Sequence, residues 1–389
     1  MYGLKKLFLL DPDVVFLNHG SFGATPRPVL EVYQKWQREL ERQPVRFLTK
    51  DLPQHLENSR QALARFVNAA PTDLVYVPNV TFGVNVVARS LSLGPGDEVL
   101  TSDHEYGACE NAWRYLSQRN GFRIIQQPIA IPLASEQEIL EQFWQAVTPR
   151  TRVIYLSHIT SSTAMRFPVK EICARAAESG LITVIDGAHA PGQIDIDLAA
   201  IGADFYIGNC HKWLCAPKGS AFLYAHPDRQ DLIEPLVVGW GWGDKKEITY
   251  GSDFLDYLQW LGTNDLAAYL SVPAAISFLK DHNWSKVRDS CHSLVKEAIN
   301  RIEKLTALPS LYPNESYYHQ MAIAQLPHVD DIRETKNSFY DKYRIEVPFI
   351  EWNDRHFIRV CVQGYNSQDD IDKLIGALKE FFDFDQHGS

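Results

Sequence analysis

From about residue 70 to residue 225 the chain alternates short apolar runs with longer amphipathic stretches. The runs "DLVYV" (73–77), "EVLTS" (98–102), "RIIQQ" (123–127), "RVIYLSHI" (152–159), "LITVID" (181–186), "ADFYIG" (203–208) and "AFLYA" (221–225) have strand length and strand composition. Between them, residues 81–91, 106–120, 136–147 and 168–180 carry apolar side chains at helical spacing. Several of the strand runs are apolar over most of their length rather than at alternate positions, the pattern of strands covered on both faces. The prediction is an α/β domain: a mostly parallel central sheet with helices on both sides.

The texture changes after residue 265. Residues 265–282 and 285–305 predict helices, "QMAIAQL", "IEVPFIEW" and "HFIRVCV" predict strands, and "SQDDIDKLIGALKEFFDF" predicts a last helix. This reads as a smaller α+β domain. The expected division is a large domain over 16–265, with 1–15 and 266–389 forming the small one. A chain of 389 residues has the length for both, since single cores stop growing near roughly 250–300 residues.

A net charge of −10, with no basic cluster larger than pairs such as Lys245-Lys246, argues against nucleic acid or an anionic membrane as partner. A small-molecule ligand is expected instead. No run approaches the roughly 18 apolar residues of a membrane span, and "LFLL" near the N-terminus is cut off by Asp11-Pro12-Asp13, too soon for a secretory leader. The six cysteines show no paired metal-ligand spacing, so reduced thiols, no metal and a cytoplasmic location are the expectations.

In open α/β sheets, ligands bind beyond the carboxyl ends of the strands. Four such ends stand out. Lys212 follows "ADFYIG", with His211 before it and Trp213 after it. A lysine there, partly desolvated, has its amine form favoured and can act as a Schiff-base nucleophile. Asp186 closes "LITVID" and can pair with a protonated pyridine nitrogen, while His189, three residues on, can reach a phenolic oxygen. Thr81 sits at a strand-to-helix junction, where a hydroxyl and free N–H groups can hold a phosphate. Tyr106 opens the next helix and can lay its ring on a flat heteroaromatic.

Singly, each residue also has an ordinary structural reading: a surface lysine at a turn, a capping aspartate, a satisfied buried histidine, an N-cap threonine, a packed tyrosine. Together they supply a phosphate cradle, a ring platform, a pyridine-nitrogen partner and a Schiff-base lysine. That is the set pyridoxal 5'-phosphate (PLP) requires.

At these residues the sequence resembles the class V aminotransferases, PLP enzymes of fold type I, and most closely their isopenicillin N epimerase-like branch. The resemblance is most specific at "FLNHGSFGATP" (16–26), "DGAHAPGQ" (186–193), "GNCHKWLCAPKGSAFLY" (208–224), "VVGWGWG" (237–243), "WLGTND" (260–265) and "IRVCVQGYN" (358–366). It implies that Lys212 holds PLP covalently, that Asp186 partners the pyridine nitrogen, and that His189 neighbours the phenolic oxygen. It places Thr81, Phe82, Asn209 and His211 around the phosphate, with Thr263 reaching it from the other subunit of a homodimer whose active sites lie at the interface. Arg359 matches the arginine that binds the substrate α-carboxylate, a bidentate task lysine does poorly. Three features depart from the cysteine desulfurases of the family, the first being His189 where they often have glutamine. Tyr106 stands where they carry a ring-stacking histidine, and residues 329–357 contain no cysteine to receive sulfur.

The resemblance implies chemistry at Cα of an amino acid, through an external aldimine and a quinonoid, with Lys212 as base. Reprotonation on the opposite face gives epimerisation, with Tyr106, His19 or a water as donor. Loss of a Cβ substituent makes the protein a C–S lyase on cysteine, cystine or a related sulfur amino acid, and protonation at the cofactor carbon gives transamination. Trp213, Trp240 and Trp242, with His19 and Ser21, are expected either to wall a substrate pocket or to serve the core and the dimer interface. A PLP-binding regulator without turnover is the reading from another class; it leaves Arg359 without a purpose.

Overall fold

The computed structural model describes residues 4–132, 135–246 and 249–384. Its strands in chain order are β1 (Val15–Phe16), β2 (Leu74–Val77), β3 (Glu98–Ser102), β4 (Arg123–Gln127), β5 (Thr151–Ser157), β6 (Ile182–Gly187), β7 (Phe205–Asn209), β8 (Ala221–Ala225), β9 (Met321–Leu326), β10 (Ile345–Glu346), β11 (Phe349–Trp352) and β12 (Arg355–Cys361). The central sheet has seven strands in the order β2-β8-β7-β6-β5-β3-β4. β4, β3, β5, β6 and β7 pair in parallel, and β8 pairs antiparallel with both β7 and β2. β8 is therefore the one strand of this sheet that opposes the others, and the predicted mostly parallel α/β architecture is the one observed.

The period of two explains why so many strand positions are apolar. Val153, Tyr155, Val184, Phe205 and Ile207 enter one core with helices Val80–Ser90 and Gly107–Asn120. Ile154, Leu156, Ile185 and Tyr206, one residue out of phase, enter the other with helices Leu52–Val67 and Val169–Glu178. The edge strand β4 lacks a neighbour on one side and has only exposed and half-buried positions, with Ile124 and Ile125 half-buried.

Helices Arg27–Arg42 and Leu52–Val67 precede the region where the alternation starts. Residues 321–384 build a three-stranded antiparallel sheet, β11-β12-β9, with helices Ile332–Tyr343 and Gln368–Phe381. β1 joins this part by pairing in parallel with β10, and Asn18 bridges to Cys361. Residues 15–18 thus tie the start of the chain to β12. Beyond them, Gly23 at φ +72° lies against the loop carrying Lys212; a Cβ there would stand 2.0 Å from the His211 carbonyl oxygen.

No helix among the described residues is long and apolar enough to cross a membrane, and none of their His, Cys, Asp and Glu side chains cluster as a metal site.

Candidate active site

The carboxyl ends of β2, β5, β6 and β7 open into one cavity of about 350 Å³, whose lining includes Thr81, Tyr106, Asp186, His189, Asn209 and Lys212. Lys212 stands in the 210–220 connection between β7 and the opposing β8. The connection is closed at its base by the Cys210 and His211 N–H groups, which both donate to the Ser220 carbonyl. The "APKGS" segment thus returns the chain to the sheet, with Lys212 at the cavity.

Nζ of Lys212 lies 3.1 Å from Nε2 of His189. Burial, followed by the positive charge of Arg359, brings the Lys212 pKa down to about 8, although Asp186 opposes the shift. Asp186 is 3% exposed. Its Oδ1 accepts from the Ala188 N–H at 2.8 Å, and its Oδ2 accepts from the Tyr155 hydroxyl at 3.2 Å and from the Cys109 thiol at 3.6 Å. Burial nevertheless pushes its pKa up, so the carboxylate gains from a cation in the cavity.

Helix Val80–Ser90 begins at this cavity. Asn79 caps it by accepting the Phe82 N–H at 2.8 Å, a bond worth about 1 kcal/mol, and leaves the Thr81 N–H outside the cap. Asn209 anchors the same helix end, its Oδ1 accepting the Val80 N–H at 3.2 Å. His211 donates from Nδ1 to the Ser220 carbonyl at 3.0 Å, and burial lowers its pKa to about 4. A neutral His211 therefore presents a bare Nε2, which accepts a proton from a phosphate or is protonated by binding one. These groups fit PLP: a helix N-terminus for its phosphate, a buried carboxylate for its pyridine nitrogen, and an amine for its aldehyde.

Arg359, on β12, is buried behind the cavity wall. Its Nη1 donates to the carbonyl and hydroxyl of Ser161, and its Nη2 to the Ser21 hydroxyl at 3.3 Å. Ser21 and Ser161 both line the cavity, while Nε of Arg359 has no hydrogen-bond partner among the described residues. Phe82 gives the cavity's helix its capped N–H, and its ring packs with the second core.

One expectation needs correction, and two others are narrowed. His19 is fully buried and absent from the cavity lining; its Nε2 donates to the Lys212 carbonyl at 3.0 Å and its Nδ1 lies 3.0 Å from the Tyr365 hydroxyl. With its pKa lowered to about 3 by burial, it is a neutral strut behind the lysine and touches no cavity-bound substrate. Trp213 is also fully buried, whereas Trp240 and Trp242 are 62% and 55% exposed; none of the three walls the cavity of this chain. Thr263 is exposed and is not brought to the cavity of its own chain.

The residues clamping Asp186 escaped the sequence reading. Cys109 is one helical turn beyond Tyr106, and Tyr155 lies on the same strand face two residues before Ser157, the register partner of Asp186. Both spacings are visible once the strands are aligned. A larger cleft, about 820 Å³, lies between residues 166–171 and helix Trp284–Thr306; its Arg166 and Arg288 are paired with Glu136 and Asp195, and it lacks the lysine–aspartate pair.

Residues 15–374 match the family described as Aminotransferase class-V. The isopenicillin N epimerase of Amycolatopsis lactamdurans is 35% identical, with 95% of this chain and 96% of that one covered. The probable chloroplastic L-cysteine desulfhydrase of Arabidopsis thaliana is 28% identical over 95% of this chain and 83% of its own. Among solved structures, the cystine C–S lyase C-DES in complex with its product cysteine persulfide superposes with a TM-score of 0.82 at 23% identity, covering 95% of this chain and 98% of that one. With its sheet, its strand-end cavity and a match across nearly all its length, the chain belongs to the class V aminotransferase family.

Proposed function

We propose that this protein is a PLP-dependent enzyme that removes the Cα proton of an amino acid and epimerises that carbon. The observation that carries the reading is the Lys212 amine, held beside His189 in the cavity that also contains Asp186 and the start of helix Val80–Ser90. Bound PLP supplies an electron sink conjugated to Cα. The chain supplies the rest. Lys212 anchors the cofactor's aldehyde carbon and, once freed, takes the Cα proton. Asp186, clamped by Ala188, Tyr155 and Cys109, holds a positive charge on the pyridine nitrogen. His189 donates toward the phenolic oxygen, Thr81, Phe82, Asn209 and His211 receive the phosphate, and Tyr106 covers the ring. Arg359, with Ser21 and Ser161, takes the substrate carboxylate. Thr263 belongs to the phosphate site of the second subunit in a homodimer, and the large domain over 16–265 carries these groups apart from Arg359.

Epimerisation needs a donor on the face opposite Lys212. With His19 withdrawn behind the lysine, Tyr106 is the residue left for it among those named. The likeness to an isopenicillin N epimerase along 95% of the chain supports this outcome. The same withdrawal favours a second reading, C–S β-elimination from cysteine, cystine or a related sulfur amino acid, which needs only Lys212. The likeness to a probable L-cysteine desulfhydrase supports that one.

Proton NMR in D₂O separates them, using the PLP-loaded protein with L-cystine and, separately, with longer L-amino acids, and Lys212→Ala as control. Exchange of Cα–H with the side chain intact, and appearance of the D-centre, is the expected result. Pyruvate formed from L-cystine establishes the lyase reading, and finding neither Lys212-dependent exchange nor pyruvate with any substrate contradicts both.

A further inference from the structure

We propose that Trp213 is a positioning residue that holds the His189 proton on Nε2, directed at Lys212, and so keeps the lysine in its amine form. The inference rests on the PLP reading for its purpose and on hydrogen-bond chemistry for its content.

An indole N–H only donates. Nε1 of Trp213 lies 3.2 Å from Nδ1 of His189, so Nδ1 is the acceptor and carries no proton. His189 is 2% exposed, and burial above all, with the positive charge of Arg359 nearby, holds its pKa well below the usual range. The ring is therefore neutral and its one proton is on Nε2. That atom is 3.1 Å from Nζ of Lys212. A donor facing Nζ must meet a lone pair, and only the amine offers one. Two buried donors in series, the indole and then the imidazole, thus specify the state of the lysine.

The arrangement follows from chain order. Trp213 is the residue after Lys212, so the loop that delivers the lysine also delivers the lock on its neighbour. His19 fixes the same loop from behind through the Lys212 carbonyl. The other groups that set the charge of Nζ are Arg359 and Cys361 on β12, Asp186 on β6, Cys109 on helix Gly107–Asn120, and His211. Arg359 favours the amine, while Asp186 and the two thiols favour the ammonium.

The consequence falls on cofactor capture. Nζ attacks the aldehyde carbon of PLP with its lone pair, a C=N bond forms, both amine protons leave, and the aldehyde oxygen departs as water. Without the indole, a buried Nδ1 lacks a partner, the proton moves to it, and Nε2 turns its lone pair toward Nζ. The ammonium is then the favoured form.

The test has two arms on the full-length chain. The first is ¹⁵N NMR of histidine-labelled wild-type protein stripped of cofactor, with the His189 signals identified from His189→Leu. A bare Nδ1 and a protonated Nε2 at pH 7 are expected; a proton on Nδ1 overturns the proposal without any variant having to fold. The second is the rate of covalent PLP capture against pH. The wild type is expected to reach half its maximal rate near pH 8, and Trp213→Phe to shift that midpoint up by about one unit, capturing PLP about tenfold more slowly at pH 7. In a His189→Leu background, Trp213→Phe is expected to leave the midpoint where His189→Leu alone puts it. A midpoint unmoved by Trp213→Phe in the wild-type background overturns the proposal. Failure of the wild type to capture PLP refutes the proposed function instead, and the tautomer measurement still decides the inference.

Discussion

Protonation states in and behind the cavity wall follow from partners that can only donate or only accept. The Ser220 carbonyl puts the His211 proton on Nδ1, and the Lys212 carbonyl puts the His19 proton on Nε2. Glu105 behaves differently. Both its oxygens lie 2.6 Å from hydroxyls, those of Ser102 and Ser157, and a serine hydroxyl can accept a hydrogen bond from the carboxyl's proton as readily as donate one to its oxygen. Burial raises its pKa to about 8, and the negative charge of Asp186 adds to the effect against the two serines. The carboxyl is thus protonated at neutral pH, and Asp186 is left as the cavity's anion. In an unfolded chain Glu105 titrates near 4.5. Between that value and about 8 the unfolded state has lost a proton that the folded state keeps, so this group's contribution to stability is full below 4.5 and is lost as pH rises through 8. Glu105→Gln cannot ionise. Calorimetry of the cofactor-free protein is expected to show its Tm gaining on the wild type from pH 5 to pH 9, whereas parallel curves across that range would mean Glu105 is ionised in the fold.

At the scale of elements, the strands were the legible part. The runs read for β3, β4 and β8 coincide with the observed bounds; β8 is apolar and buried throughout, while β3 and β4 each carry an apolar centre between polar ends. The strand ends also pointed to the cavity, since parallel strands deliver their carboxyl ends to one edge and Lys212, Asp186 and Thr81 each follow such an end. What stayed hidden depends on contacts between distant segments. His19 meets the Lys212 carbonyl across 193 positions, and Arg359 meets Ser21 across 338. A histidine near a motif reads alike whether it faces the cavity or supports its floor; only the packing of residues 18–24 on the lysine loop decides. The choice between pocket and core or interface for the tryptophans stayed open for the same reason. Indoles are both core residues and interface residues, and here Trp213 is one while Trp240 and Trp242 are not buried at all.

At the scale of the whole molecule, the segment 237–242 is conspicuous. Val237, Val238, Trp240 and Trp242 are 43–65% exposed and separated only by Gly239 and Gly241, an apolar stretch of the kind that marks an interaction surface. Together with an exposed Thr263, it supports the proposed homodimer. Sedimentation at micromolar concentration is expected to give a dimer, and Trp240→Ser with Trp242→Ser to give monomer with weakened PLP retention. A wild-type monomer that binds PLP normally would contradict it.

The account stands on Lys212 as the residue that holds the cofactor. Borohydride reduction of the PLP-loaded protein, followed by digestion and peptide mass spectrometry, tests this most directly. The pyridoxyl mass is expected on the peptide containing Lys212 and on no other. The same mass on a different lysine, or no covalent mark on a protein that retains PLP, would contradict the account.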